Sequence, residues 1–364
     1  MQDKRKIFRG ALLGLAIGDA MGSTVDRKSL DDICTDYGPN GLLGYDLANG
    51  CAEVSSYTQL AAFTANGLIM ALARSQAYGR NAPPLQYVSI ALREWAKTQH
   101  YSLREQNYCW LSDEPELKRR RCMDTRMLDA LTRDALGTLH SPVYRNDLPS
   151  ALTEMVPVAM LGVLMNIRQE DIDLLGAEIM ALTHGHAETI LSAALLTHAL
   201  SVLLAEPDIG AKALVESAVD AVSLEFGPEF GDLGHIWQQL ELARALAESG
   251  CAPMEAMEKL RCRTVAEVLA GVLYTCTVCR DDFDAAMITA VNHSGRSAAV
   301  GAIVGAVLGI CFGEDLLPEF YLESLEPVAL LRQLADDLSR SGAPDQMDRL
   351  FDDEWDRRYL CPGI

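Results

Sequence analysis

The chain has 364 residues, about half of them hydrophobic, and carries 51 acidic against 31 basic side chains for a formal charge of −20. Nucleic-acid phosphates repel such a polyanion, so nucleic-acid binding is excluded, whereas the field it casts would steer a basic protein partner. No Gly/Ser- or Pro-rich linker and no internal repeat divides the sequence, and a single domain spanning residues 1–364 is expected.

In chain order, the residues up to Lys6 are mostly polar or charged, and the apolar run behind them contains Asp19. That pattern does not describe a signal peptide, and a cytoplasmic location follows. Apolar residues at spacings of three and four predict helices over Leu60–Ala73, Leu174–Leu204, Ala211–Leu224, Ile236–Glu248, Val265–Thr275 and Ala298–Phe312. Alternating runs bounded by hairpin turns are absent, so an all-α fold is expected. Between the first two helices, Cys109–Asp147 gathers polar and basic residues (Lys118–Arg121) ahead of Pro142 and reads as an insertion loop. The small-residue stretch from Ala298 is stopped by Glu314 and Asp315, short of the roughly 20 apolar residues a membrane span needs. It is a core helix, and no membrane contact is expected. The 10 cysteines are scattered through these helices and read as free thiols in a reducing compartment. Cys276-Thr-Val-Cys279 has no second pair and no histidine at zinc-ligand spacing, which argues against zinc or redox chemistry. Acidic residues concentrate at Asp113–Glu116, Glu225–Asp232, Asp281–Asp284 and Asp336–Asp353.

Five segments carry a family resemblance in order. They are G-A-L-L-G-L-A-I-G-D-A-M-G (Gly10 to Gly22) followed by S-T-V-D-R-K-S-L (Ser23 to Leu30); V-S-S-Y-T-Q-L-A-A-F-T-A-N-G-L (Val54 to Leu68); A-L-T-H-G-H-A (Ala181 to Ala187); N-H-S-G-R-S-A-A-V-G-A (Asn292 to Ala302); and E-W-D-R-R-Y-L-C-P-G-I (Glu354 to Ile364). Together they resemble the ADP-ribosylglycohydrolases, the dinitrogenase-reductase-activating glycohydrolase family. The resemblance implies a compact, orthogonal multi-helix fold and a two-magnesium cleft that binds ADP-ribose.

The departures fall where that family does its chemistry. In N-H-x-G-D-S-D-S-T-G the two aspartates bind metal; here Arg296 and Ala298 stand in their places, with Ala299 and Val300 at the Ser-Thr pair. Ser56 and Tyr57 replace an Asp-Asp pair that supplies the other half of the site, leaving Thr58 as the remaining oxygen. A hard divalent cation needs anionic or carbonyl oxygens; alanine supplies none, and a guanidinium repels the cation. The family magnesium is therefore expected to be lost, with no cofactor in its stead. Asn146–Val158 lies where the family has a glycine-rich diphosphate loop. There Pro149 has no N–H to donate, while Asp147 and Glu154 turn two cationic positions anionic, so ADP-ribose is expected to bind weakly or not at all.

Asp19, Asp26, Thr58, Thr183, His184 and Asn292 are retained. With Ser56, Tyr57, Arg296 and Ala298 they outline a vestigial cleft, in which no residue is assigned as catalytic. Arg296 is expected to take over the metal's charge by pairing with Asp19, Asp26 or a neighbouring carboxylate. The expected function is that of an ADP-ribosylglycohydrolase-like pseudoenzyme with a binding or regulatory role. The alternative is an atypical metal-independent hydrolase of ADP-ribosylated protein or a related N- or O-glycoside, with Asp26 or Glu53 as general base.

Overall fold

The computed structural model describes residues 4–47, 50–79, 82–99, 108–122, 124–342 and 352–360. Among them lie 17 α-helices, α1 to α17, several short 3-10 or π turns, and one isolated bridge between Ala52 and Leu325. No strand forms among the described residues, and the protein is all-α.

The centre of the fold is a pair of helices with no side chains between them. α1 (Lys4–Val25) places Gly10, Gly14, Gly18 and Gly22 four residues apart, which stacks them on one face. α14 (Ser297–Phe312) does the same with Gly301, Gly305 and Gly309. The stripes meet antiparallel: Gly10 against Gly309, Gly14 against Gly305, Gly18 against Gly301, and Gly22 against Ser297. A methyl group at any of these four α1 glycines would overlap the opposite backbone. Glycine serves here by lacking a side chain, and the backbones come close enough for Cα–H groups to face carbonyl oxygens. The same pairing fixes the site, because it sets the C-terminal end of α1, with Asp19 and Asp26, beside the N-terminus of α14.

The remaining helices enclose this spine. α2 (Leu30–Tyr37) starts at Ser29, whose hydroxyl accepts from the Asp32 N–H. α3 (Ser56–Tyr78) is buried along most of its length and packs on α4 (Pro84–Thr98), α6 (Met155–Met165) and α16 (Val328–Ser341). α5 (Thr125–Thr132) is capped by Asp124 and, with a 3-10 turn at Trp110–Asp113, is the regular structure inside the predicted insertion loop. α7 (Gln169–Ala181), α8 (Ala187–Ala205) and α9 (Ala211–Phe230) pack in sequence. α10 (Gly234–Ser249) and α11 (Pro253–Leu260) lean on α12 (Val265–Val278), which opens with a capping box between Thr264 and Glu267. α13 (Phe283–Val291) leads into α14, and α15 (Glu319–Ser324) and α17 (Asp353–Trp355) close the shell.

The predicted helix Leu174–Leu204 is two helices, broken between Leu182 and His186. The cause is tertiary: Gly185 packs against Pro142 so closely that a Cβ would overlap it, and its N–H donates to the Tyr144 carbonyl at 2.8 Å. α8 is the one helix among the described residues long and apolar enough to cross a membrane, and 78% of its apolar window is buried inside the protein. Nine cysteines are described and all are free thiols. Burial pushes the Cys276 thiol up, away from the reactive thiolate.

Candidate functional site

Three helix N-termini, those of α3, α5 and α14, converge at the end of the spine, and each is met by a different aspartate. Asp19, fully buried, accepts from the Ser55 N–H at 2.8 Å, the Thr58 N–H at 3.0 Å, the Thr58 hydroxyl at 2.6 Å and the Ser55 hydroxyl. Burial pushes its pKa up, against the pull of these donors. Asp26 accepts from the Ala298 N–H at 3.2 Å and pairs with Arg27 Nε at 3.3 Å. Burial raises its pKa too, opposed by that N–H and by the charges of Arg27 and Arg296. Asp124 accepts from the Arg126 and Met127 N–H groups at 3.1 and 3.2 Å and from the Ser150 hydroxyl at 2.8 Å. His184 Nε2 stands 3.6 Å from it, an electrostatic rather than a hydrogen-bonding distance. Burial alone would raise Asp124, but His184, Ser150 and the Met127 N–H outweigh it and hold the carboxyl well below the usual range.

Between these ends opens a cleft of about 300 Å³ whose wall includes Asp26, Arg27, Ser56, Tyr57, Asp124 and Ala298. The Val54–Leu68 and Asn292–Ala302 segments thus meet at one place. Asp19 and Thr58 lie beneath the wall, and His184 stands behind Asp124 with its Nδ1 2.8 Å from the Thr183 hydroxyl. Asn292 is spent elsewhere: its Oδ1 accepts from the Leu42 N–H at 2.7 Å, and its Nδ2 donates to the Leu42 and Ile288 carbonyls. This clamp holds the turn at Gly41, whose positive φ of 68° and contact with Asn292 leave no room for a side chain.

Two expectations change in detail. Arg296 makes no ion pair among the described residues; Arg27 is the partner of Asp26, and Arg296 acts on Asp26 and Tyr57 through its charge alone. Glu154 does not present an anion to a ligand. It is fully buried with neither carboxylate oxygen hydrogen-bonded, and burial pushes its pKa well above the usual range, which favours the neutral acid.

The side chains present do not fit a magnesium centre. The four replaced positions offer a hydroxyl, a phenol, a guanidinium and a methyl group, and the Thr58 hydroxyl already donates to Asp19. Cys51, Glu53 and Glu326 form a separate acidic group close enough to share a cation. Its carboxylates are neutralised by Arg119, at 2.7 Å from Glu53 and 3.1 Å from Glu326, and by Arg121 at 2.8 Å from Glu326. This four-residue network, which also ties Arg121 to the Val54 carbonyl next to α3, was not legible in the sequence beyond the basic run Lys118–Arg121.

An all-α protein with a polar cleft at the junction of three helix ends is the class this geometry defines. The ADP-ribosylglycohydrolase family profile matches residues 1–346, and the chain belongs to that family. Among 47 solved chains that match is one described as an ADP-ribosylglycohydrolase-related protein complex. It is 18% identical, superposes with a TM-score of 0.52, and the match covers 94% of this chain and 100% of that one. At that identity the likeness shows the fold alone. No curated protein matches the sequence.

Proposed function

We propose that this chain is a pseudoenzyme of the ADP-ribosylglycohydrolase family, acting as one domain whose cleft serves binding or regulation in place of hydrolysis. The observation that carries this reading is the donor set: Ser56, Tyr57, Arg296 and Ala298 at the positions where the family resemblance places carboxylate metal ligands. A metal centre in such a cleft would clamp the ribose hydroxyls and polarise the attacking water, and no side chain here takes over either task. The metal-free alternative is weakened by the state of its candidate bases. Glu53 is paired with Arg119 and Arg121 away from the cleft wall, so that alternative rests on Asp26 alone, itself engaged by the Ala298 N–H and Arg27. The acidic surface suits a basic protein as the bound partner.

Two measurements test the reading. Titration with magnesium should show no binding tighter than roughly millimolar. Incubation with magnesium and ADP-ribosylated arginine or serine peptides, or poly(ADP-ribose), should release no ADP-ribose above background. Turnover that persists in EDTA and disappears in Asp26→Asn would replace the pseudoenzyme with the metal-free hydrolase.

A further inference from the structure

The replaced positions of the cleft have more in common than the loss of carboxylates. The Ser56 hydroxyl at the first residue of α3, the Tyr57 phenol and the Arg296 guanidinium have no hydrogen-bond or ion-pair partner among the described residues. Ser56 and Tyr57 line the cleft, and Arg296, not itself on the wall, immediately precedes α14, whose second residue, Ala298, is. A fourth donor is added at a cost in backbone strain. Arg27 adopts a left-handed conformation, φ 64°, fixed by its N–H donating to the Gly295 carbonyl at 3.1 Å, and its half-exposed side chain reaches the same wall. A non-glycine residue keeps that conformation only where its surroundings enforce it.

The acceptors of the cleft, in contrast, are taken. Asp19, Asp26 and Asp124 are each occupied by a helix N-terminus and by side chains. What remains open is a set of donors within reach of solvent, free for a ligand oxyanion to take in place of water. We propose, building on the pseudoenzyme reading, that the cleft is a seat for a small-molecule phosphate monoester, its oxyanion received by Ser56, Tyr57, Arg296 and Arg27. The charge logic of a cation site is inverted: donors and guanidinium charge stand where acceptors would hold a metal. Each of the three converging helix N-termini carries about half a positive charge, less than the aspartate that meets it offsets, so the positive potential for an oxyanion comes from Arg27 and Arg296. A tetrahedral phosphate presents three terminal oxygens to donors on several sides, whereas a planar carboxylate presents two. At about 300 Å³ the cleft exceeds the phosphate itself and leaves space for a small organic body.

Isothermal titration of inorganic phosphate into the full-length protein without magnesium tests this, with acetate and magnesium chloride titrated in parallel. Saturable phosphate binding is expected, with acetate at least about tenfold weaker and Arg296→Ala weakening phosphate by at least about tenfold, the loss of one charge-assisted hydrogen bond. Arg296→Lys should retain part of the affinity. If Arg296→Ala proves unfolded by circular dichroism, Tyr57→Phe, which removes one hydroxyl and keeps the ring, should still weaken phosphate. Absence of saturable phosphate binding, or affinity unchanged in folded Arg296→Ala, Arg27→Ala and Tyr57→Phe proteins, overturns the proposal. That failure would leave the pseudoenzyme reading standing as long as magnesium neither binds nor supports release of ADP-ribose. Tight magnesium binding with turnover would sink that reading whatever phosphate does.

Discussion

Gly18 and Asp19 are neighbours on α1, yet they belong to regions held together in different ways. Gly18 faces α14, where its missing side chain lets two backbones touch; Asp19 faces α3, where its carboxylate takes four hydrogen bonds. The spine is specified by shape, and any side chain there is an obstruction. The cleft is specified by chemistry, and its residues can be exchanged as long as the helix ends stay satisfied. Nothing along the spine involves a metal, so the same helices can pack around a cleft that has exchanged its carboxylates for hydroxyls and guanidinium. Asp19, Asp26 and Asp124 mark the boundary: they are polar residues of the cleft that also serve as caps of the fold.

The sharpest way to break this comparison is to put a side chain into the spine. Gly14→Leu must push α1 away from Gly305, and a loss of at least about 3 kcal/mol is expected in urea unfolding, enough to leave much of the protein unfolded on expression. A variant that melts like its parent would mean that the two helices can separate freely and that the spine is not the centre of the fold.

Asp124→Asn comes next. It weakens a carboxylate that caps α5, holds Ser150 and faces His184, and about 1–3 kcal/mol should be lost at pH 7. Because the folded state holds Asp124 below its unfolded pKa, its contribution is present above about pH 4 and disappears as the pH falls through the folded value. The gap between parent and variant should therefore close on acidification. A gap that stays constant between pH 7 and pH 3 would mean the loss is one of packing.

Glu154 has the opposite sign. Its folded pKa lies well above the unfolded value, so its contribution is complete below about pH 4 and is lost as the pH rises toward the folded value. Replacing it with an apolar residue of similar size, Glu154→Met, should raise stability at pH 8 by about 1–2 kcal/mol. It should also remove a pH slope that cannot exceed about 1.4 kcal/mol per unit for one proton. Unfolding curves for parent and variant that run parallel from pH 5 to pH 9 would show that Glu154 finds a partner when ionised.

Much of α3, α9, α10, α12 and α14 was legible because the cause is local, apolar residues at spacings of three and four. The pairing of the α1 and α14 glycine stripes, in contrast, joins segments distant in sequence and was not read beyond the close packing expected of the small residues after Ala298. Short helices such as α2, α5 and α11 have too few residues for periodicity to register, and α2 and α5 are marked chiefly by their caps, Ser29 and Asp124. The break after Leu182 was invisible since Pro142 and Tyr144, which cause it, are distant in sequence. At the cleft the identity of the replaced residues was readable, but their partners were not. That Arg27 rather than Arg296 would pair with Asp26 depends on a left-handed turn at Arg27, and that Glu154 would lie buried without a partner depends on how α6 enters the core.

The smallest effect is the most discriminating. Ser56 lies on the cleft wall at the start of α3, but Ser55, not Ser56, caps the helix, and the Ser56 hydroxyl bonds no described residue. Ser56→Ala should therefore change stability by less than about 0.5 kcal/mol, the usual range for a surface position without partners. In the cleft the same hydroxyl is one of four donors to an oxyanion, so the variant should lose phosphate affinity while its urea midpoint stays put. Shape and chemistry are then separated by one oxygen atom. A substantial drop in the urea midpoint would place Ser56 among the caps with Ser55, and the cleft would be part of the scaffold rather than a seat open to a ligand.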